Sequence, residues 1–293
     1  MPKAIVEIDQ REWSAPATLE DPEERKVDAL ETGAVLFFPN LAFAVGASER
    51  PFISPSILGK SKNVSFNPST GKVGGATCTG DALDQLGGMM RRFSDSARGL
   101  LEASLPAYRG KFALGRASFR PAEIAGRPSS WRKDDTRLHI DAFPTTPTNG
   151  NRILRIFCNV NPDGKPRTWR VGEPFERVAE KFAPALKPPV WGSSTALWLL
   201  RMTRSRRSEY DHLMLQLHDH MKRDTHYQAE VEKTDCEFPP GSTWMVFVDS
   251  VSHAAISGQY QFEQTFYLPL AAMEQERLAP LRVLERKLGR QLV

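Results

Sequence analysis

The stretch Arg137-Leu138-His139-Ile140-Asp141-Ala142-Phe143-Pro144 sets a histidine and an aspartate two positions apart, each backed by an apolar neighbour. On an extended segment the side chains at i and i+2 point to one face, so His139 and Asp141 can grip one ion while Leu138 and Ile140 pack behind them. The polar run Trp131 to Thr136 leads in, and the Pro/Thr/Asn/Gly loop from Pro144 to Asn151 leads out, as expected where a strand ends at the mouth of a site. Far downstream, Pro239-Pro240-Gly241 reads as a turn and Trp244-Met245-Val246-Phe247-Val248-Asp249 as a buried strand; His253 follows, just before the strand-like Gln261 to Leu268. Two neutral imidazoles and one carboxylate on one face of an octahedron leave three positions open. Fe(II) needs those positions to hold a bidentate 2-oxo acid and then O2. His139, Asp141 and His253 are therefore the candidate metal ligands and the candidate catalytic centre.

Strand patterns recur at about 112–120, 137–141, 152–160, 241–249, 253–256 and 261–268, separated by turn residues. Gly33 to Pro39 reads as a further buried strand, whereas 44–80 is a Ser/Gly/Pro-rich loop. From Asp81 the apolar residues Leu83, Leu86, Met90, Phe93, Ala97 and Leu101 recur at three and four, a helix that Pro106 ends despite Gly87-Gly88. The pattern predicts a mainly β fold, a sandwich or jelly roll with helices on one side. The interval between Asp141 and His253 is longer than such a core needs. The excess is a helical insertion at 172–235, with helices from about Glu173 to Phe182 and about Ser208 to Arg223. One domain covering 1–293 results: an N-terminal support region with a helix (1–110), a core (111–171 and 236–270), the insertion (172–235) and a C-terminal helix (271–293).

Composition narrows the function classes. The 293 residues are 40% hydrophobic and 25% charged, ordinary for a folded globular chain. No apolar run reaches the ~18 residues of a membrane span, and Met1 to Glu7 has no apolar signal core, so the expectation is cytoplasmic. Cys78, Cys158 and Cys236 are too few and too scattered for a disulfide framework or a zinc ribbon. The net charge of +4 is concentrated: Arg116, Arg120, Arg127, Arg132, Arg137, Arg152, Arg155, Arg167 and Arg170 surround the His-x-Asp segment. Arginine meets carboxylate and phosphate in a planar, bidentate way, so an acidic substrate is expected. No recognition helix or RNA-binding signature accompanies these arginines, which argues against nucleic acid.

A rival metal site lies in the insertion, where His212, His218, His220 and His226 stand near Asp219 and Asp224. On a helix, however, Leu213, Leu217 and Met221 form the apolar stripe and His218 and His220 diverge by about 200°, so the histidines occupy separate faces. Two basic segments, Arg201 to Arg207 and the amphipathic tail Glu276 to Val293, offer contact with an anionic lipid surface. In the tail, Leu278, Leu281, Leu284 and Leu288 can equally cover a sheet as a terminal helix.

The runs Arg137-Leu-His-Ile-Asp-Ala-Phe-Pro144, Arg152-Ile-Leu-Arg-Ile-Phe-Cys-Asn-Val-Asn-Pro162, Trp169-Arg-Val-Gly-Glu-Pro-Phe175 and His253-Ala-Ala-Ile-Ser-Gly-Gln-Tyr-Gln-Phe-Glu-Gln-Thr-Phe-Tyr267 resemble the Kdo 3-hydroxylases. These are Fe(II)/2-oxoglutarate/O2-dependent dioxygenases of Gram-negative bacteria. The resemblance covers most of the chain, strongly from about residue 110. It implies a double-stranded β-helix (jelly-roll, cupin-like) core and hydroxylation of carbon 3 of 3-deoxy-D-manno-oct-2-ulosonic acid (Kdo), giving Ko. The acceptor implied is a lipid A-linked inner core in lipopolysaccharide biosynthesis, at the cytoplasmic face of the inner membrane. His139, Asp141 and His253 match the family's metal triad. Many members of the superfamily carry an arginine about ten residues beyond the distal histidine to hold the far carboxylate of 2-oxoglutarate. Here that stretch supplies Glu263, Gln264 and Thr265. The cation must come from elsewhere, and Arg155, in phase with Phe157 and Asn159 on the following strand, is the first candidate, with Arg152 second and Gln264 as a hydrogen-bonding partner. Arg120, Arg127 and Arg132 are the candidates for an acidic sugar and its lipid phosphates. The alternatives are an oxygenase for another acidic sugar, a small metabolite or a peptide, and a non-oxidative jelly-roll metal- or sugar-binding module.

Overall fold

The computed structural model describes residues 4–14 and 23–293; the first residues of the Met1 to Glu7 segment lie outside that range. In chain order the elements are β1 (Ile5–Glu7), α1 (Glu23–Glu31), β2 (Val35–Phe38), β3 (Val64–Phe66), β4 (Val73–Gly74), α2 (Asp81–Ser104), β5 (Ala113–Arg120), β6 (Arg152–Asn159) and β7 (Arg167–Pro174). Then follow α3 (Phe175–Phe182), α4 (Ser193–Leu199), α5 (Glu209–Arg223), α6 (Thr225–Glu230), β8 (Thr234–Phe238), β9 (Thr243–Phe247), β10 (Val251–Ser257), β11 (Gln261–Leu268) and α7 (Pro280–Leu288). The architecture is mixed α/β. One sheet runs β1-β2-β9-β6-β11-β5-β3-β4 and a smaller one β10-β7-β8.

Strand alternation sorts the side chains into layers. On β6, Leu154, Ile156 and Cys158 join Phe262 and Phe266 of β11 in a core covered by α2, whose Leu86, Met90, Phe93, Ala97 and Leu101 face it. The other face of β6 turns Ile153 and Phe157 toward the small sheet, where they meet Trp169 and Val171 of β7, Phe238 of β8 and Trp244 of β9. Phe238 stacks on Trp244 with ring centroids 4.1 Å apart, and Phe157 stacks on Trp244 at 5.3 Å. Each such fully buried aromatic contributes about 1.5–3 kcal/mol. A third core packs α3, α5 and α7 against Leu138, Ile140 and Ala254. Helices thus cover both outer faces and not one, because α2 precedes the core strands while α3, α5 and α7 follow β7 and β11 and bury their stripes on the small sheet.

Several short elements differ from the sequence expectation. Segment 137–141 forms no strand, only an isolated antiparallel bridge between His139 and His253. β7 is a strand that the sequence pattern does not predict, since Arg167, Arg170 and Glu173 interrupt its apolar residues, yet Arg167, Trp169 and Val171 all point inward. In helix α2 a Cβ on Gly87 would come within 3.2 Å of Val73 in β4, so this glycine permits a close approach of helix and strand, whereas Gly88 faces open space. The tail helix α7 buries Leu281, Val283 and Leu284, leaving Leu278 and Leu288 partly covered. No described helix is long and apolar enough to cross a membrane. The three cysteines are free.

Candidate metal centre

Segment 139–141 steps from one sheet to the other. His139 exchanges both backbone hydrogen bonds with His253 of β10, at 3.0 and 2.9 Å, and two residues later the Asp141 N–H donates to Val248 O, just beyond β9, at 2.8 Å. The step brings residues remote in sequence into one cluster. Ligand atoms of His139, Asp141 and His253 all lie within 4.8 Å of one another, and among the described residues no other histidine, cysteine or carboxylate cluster meets that test. The His139 and His253 rings sit 4.7 Å apart, and His139 Nε2 is 3.5 Å from Asp141 Oδ1.

Each imidazole is locked with one nitrogen free. His139 Nδ1 hydrogen-bonds the Arg137 carbonyl at 2.7 Å and His253 Nδ1 the Val251 carbonyl at 2.9 Å, so Nδ1 carries the proton in both and Nε2 keeps its lone pair. A backbone acceptor of this kind fixes the tautomer and ring plane of a metal-ligating histidine. His253 also stacks on Trp169, with centroids 5.1 Å apart and planes 20° off parallel. Burial and the neighbouring His139 push its pKa down to about 4, so at neutral pH it is the uncharged ligand form. For Asp141, burial acts to raise the pKa, but Arg155 and the two histidines outweigh it and hold the carboxyl well below its usual range. Asp141 Oδ2 is buried without a well-directed hydrogen bond, its nearest cation being Arg155 at 3.0 Å. Two free Nε2 atoms and an under-satisfied, ionised carboxylate form a donor set that fits a divalent cation such as Fe(II).

Around the triad lies a cleft lined by Arg120, Ile124, Asp135, Arg155, Phe157, Arg167, Trp169, Ala255, Gln261 and Glu263. Arg120 forks onto Glu263 at 2.9 and 3.3 Å, and Glu263 together with Asp135 holds its pKa above the ordinary arginine range. Burial would raise the Glu263 pKa, but Arg120 and Arg155 hold it down. Arg155 reaches Asp141 and, at 3.8 Å, Glu263. Arg167 is 2% exposed; its Nη1 donates to Gly258 O at 2.6 Å, while its Nε is buried without a hydrogen-bond partner among the described residues. Gly258 has φ +110° and a Cβ there would sit 2.9 Å from Arg167 Cδ, so this turn needs glycine to let the guanidinium through. Burial, then Arg120, bring the Arg167 pKa down to about 9, partly offset by Glu123, Glu263 and Asp135.

The structure does not bring every candidate to this cleft. Arg152, three residues before Arg155, lies on the opposite face of β6, paired with Asp249 at 2.7 Å and Ser250 at 2.8 Å beneath the Phe247 ring. Gln264 points to the α2 side and donates to Gly115 O and Thr265 O. Asn159 faces inward but braces the β6–β7 turn, donating to Lys165 O and Phe238 O and accepting from Asn161 N–H. Arg127 is exposed on the loop after β5, and Arg132 pairs with Asp219 on the surface at 2.9 Å. Of the rival histidines, His218 packs edge-on against His139 with centroids 5.4 Å apart, and its Nδ1 contacts Asp219 at 3.1 Å. Sequence reasoning missed Arg167, Trp169, Gln261 and Glu263 as cleft residues; the available signal was that Glu263 and Gln261 alternate with Phe262 and Phe266, which puts them on the other face.

Comparison with known proteins agrees with this geometry. Residues 13–291 match the family model described as 3-deoxy-D-manno-oct-2-ulosonic acid (Kdo) hydroxylase. No curated protein sequence matches. Among solved structures, the chain is similar to the Kdo hydroxylase KdoO, a non-heme Fe(II) alphaketoglutarate-dependent dioxygenase, in complex with alphaketoglutarate and Fe(III). Identity is 42%, covering 99% of this chain and 98% of that one, with a TM-score of 0.96. The same relative in complex with cobalt(II) gives a TM-score of 0.97, and in complex with succinate and Fe(III) 0.95, both at 42% identity and the same coverage.

Proposed function

The chain belongs to the Kdo hydroxylase family of Fe(II)/2-oxoglutarate-dependent dioxygenases, and on that premise we propose that it hydroxylates carbon 3 of Kdo on a lipid A-linked inner core. The observation that carries the chemistry is the convergence of His139, Asp141 and His253 with both Nδ1 atoms held by backbone carbonyls. His139 and His253 through Nε2, and Asp141 through its carboxylate, would hold the metal. When bound, iron with 2-oxoglutarate and O2 supplies the oxidising power to hydroxylate an unactivated C–H bond.

The chain's own residues bind, orient and exclude water. Buried Arg167, with its unpartnered Nε, is placed to receive a carboxylate, and Arg155 is the second cation of the cleft able to do so. We assign them to the 2-oxoglutarate carboxylates; the Asp141 carboxylate would be shared between the metal and Arg155. Arg120, fixed by Glu263, is the cation best placed to meet the acidic sugar at the inner edge of the cleft; the exposed Arg127 and Arg132 lie on the loop and short turn that lead to it. Phe157, Trp169 and Ile124 supply apolar walls that keep water from the reacting carbon. The facing sheets are read as a double-stranded β-helix (jelly-roll) core within one domain covering 1–293, because β6 and β11 pair across the middle of the large sheet while β10 delivers His253 from the small one.

The test is turnover of a Kdo-bearing acceptor with Fe(II) and 2-oxoglutarate, read as succinate formed and as one oxygen gained by mass spectrometry. His139→Ala and Asp141→Ala should each abolish both while melting as cooperatively as the wild type. Undiminished turnover in either variant refutes the assignment.

A further inference from the structure

The described residues leave few large apolar side chains exposed, and all but Val293 fall between 190 and 202: Val190, Trp191, Trp198, Leu199, Leu200 and Met202. Trp191 is 98% exposed, Leu199 68% and Leu200 70%. Single exposed apolar residues are ordinary, but a cluster of this kind in one segment marks an interaction surface. The segment is also strongly one-signed. Between Glu180 and Glu209 there is no aspartate or glutamate, whereas Lys187, Arg201, Arg204, Arg206 and Arg207 all fall there. Arg206 lies over the Trp198 ring at 5.5 Å, placing a cation against one of the exposed aromatics.

We propose that segment 190–206 is a docking surface for an anionic lipid bilayer, with Trp191, Leu199 and Leu200 entering the headgroup boundary and the arginines meeting lipid phosphates. Tryptophan is the side chain most at home at that boundary, and basic residues beside it add attraction to anionic headgroups. The other candidate lipid-facing segment, the C-terminal tail, is excluded because α7 spends its apolar face on the core shared with α3 and α5.

The surface is physically tied to the metal centre. Arg204 N–H donates to Thr145 O at 3.0 Å and Arg207 Nη2 to Pro144 O at 2.7 Å, and these two acceptors lie three and four residues beyond Asp141. Ser194 Oγ of α4 in turn donates to Arg207 O at 2.5 Å. A bilayer held by 190–206 therefore lies beside the loop that leaves the ligand segment, which suits an acceptor whose sugar must reach the metal while its acyl chains stay in lipid. This last step rests on the lipid-linked acceptor proposed above; the docking itself does not.

The experiment sediments the full-length protein with vesicles of phosphatidylethanolamine and phosphatidylglycerol, with phosphatidylcholine vesicles as the uncharged control. Wild type should bind the anionic vesicles and release with rising salt. The triple variant Trp191→Ser/Leu199→Ser/Leu200→Ser, confined to exposed positions, should bind at least tenfold more weakly. Arg201→Glu/Arg206→Glu should show a similar loss on anionic vesicles alone. Both variants should keep wild-type turnover of a lipid-free Kdo acceptor and lose turnover of the lipid-linked one in vesicles. Wild-type vesicle binding by either variant overturns the proposal. So does a wild-type dimer that ignores vesicles and becomes monomeric in the triple variant, which would make the patch a contact between copies. Failure to oxidise any Kdo acceptor would count against the enzymatic assignment and leave the sedimentation result standing on its own.

Discussion

Replacing Arg167 by methionine should make the protein more stable and at the same time unable to hold 2-oxoglutarate. The guanidinium is 2% exposed, has one short bond to Gly258 O and an unpartnered Nε, and its pKa falls to about 9. Measured from the ordinary arginine range above 12, that lowering corresponds to about 5 kcal/mol of unfavourable charge burial. Methionine removes that cost and fills similar volume, but leaves the Gly258 carbonyl without its donor, a loss of about 1–3 kcal/mol. The expected net gain is about 2–4 kcal/mol, or about 4–16 °C in Tm for a chain of this size. The guanidinium stays protonated throughout the range in which the protein can be melted, so the advantage of the variant should not change with pH there. Anaerobic melts with a divalent metal, with and without 2-oxoglutarate, read the other half. At a hundredfold excess over Kd the ligand should stabilise the wild type by about 2.7 kcal/mol and the variant by almost nothing. A variant that melts lower and still responds fully to 2-oxoglutarate would show Arg167 to be a structural cation, and the reasoning would fail.

Arg155→Ala should raise the 2-oxoglutarate KM at least tenfold and lower the Tm of the metal-free protein, because it strands the buried Asp141 carboxylate, whereas Asp249→Ala should leave that KM alone and cost about 3–5 kcal/mol in denaturant unfolding, because it strands the buried Arg152 charge. Gln264→Leu should leave the 2-oxoglutarate KM alone, since the side chain faces α2, and lower stability by about 1–3 kcal/mol, since the Gly115 and Thr265 carbonyls lose its Nε2 as donor. His253→Ala should abolish Co(II) binding followed by visible absorption while the far-ultraviolet dichroism stays that of the wild type; retention of stoichiometric metal would contradict the triad.

How much of this was legible beforehand differs from residue to residue. The triad could be read because its chemistry is local in two places: a His-x-Asp spacing whose side chains share a face, and a histidine just past a buried strand. The strand runs of β6, β9 and β11 and the three-four spacing of α2 are likewise local signals, and those elements lie close to where the sequence puts them. β7 and segment 137–141 carry no such local signal. The first hides a buried arginine in a charged-looking strand, and the second is held in line by a single bridge to a residue more than a hundred positions away.

Sequence alone determined the donor set, the strand and helix periods and the excess of arginine near the ligands, since each depends only on residue type and near spacing. Which arginine serves which purpose was decided by tertiary structure. Arg152 and Arg155 are chemically identical and three residues apart, but on a strand an odd separation puts them on opposite faces, one beneath Phe247 with Asp249 and the other beside Asp141. In the same way the apolar residues of α7 and of segment 190–202 look alike in the sequence; only the packing of α7 against α3 and α5 buries the one set and leaves the other facing solvent.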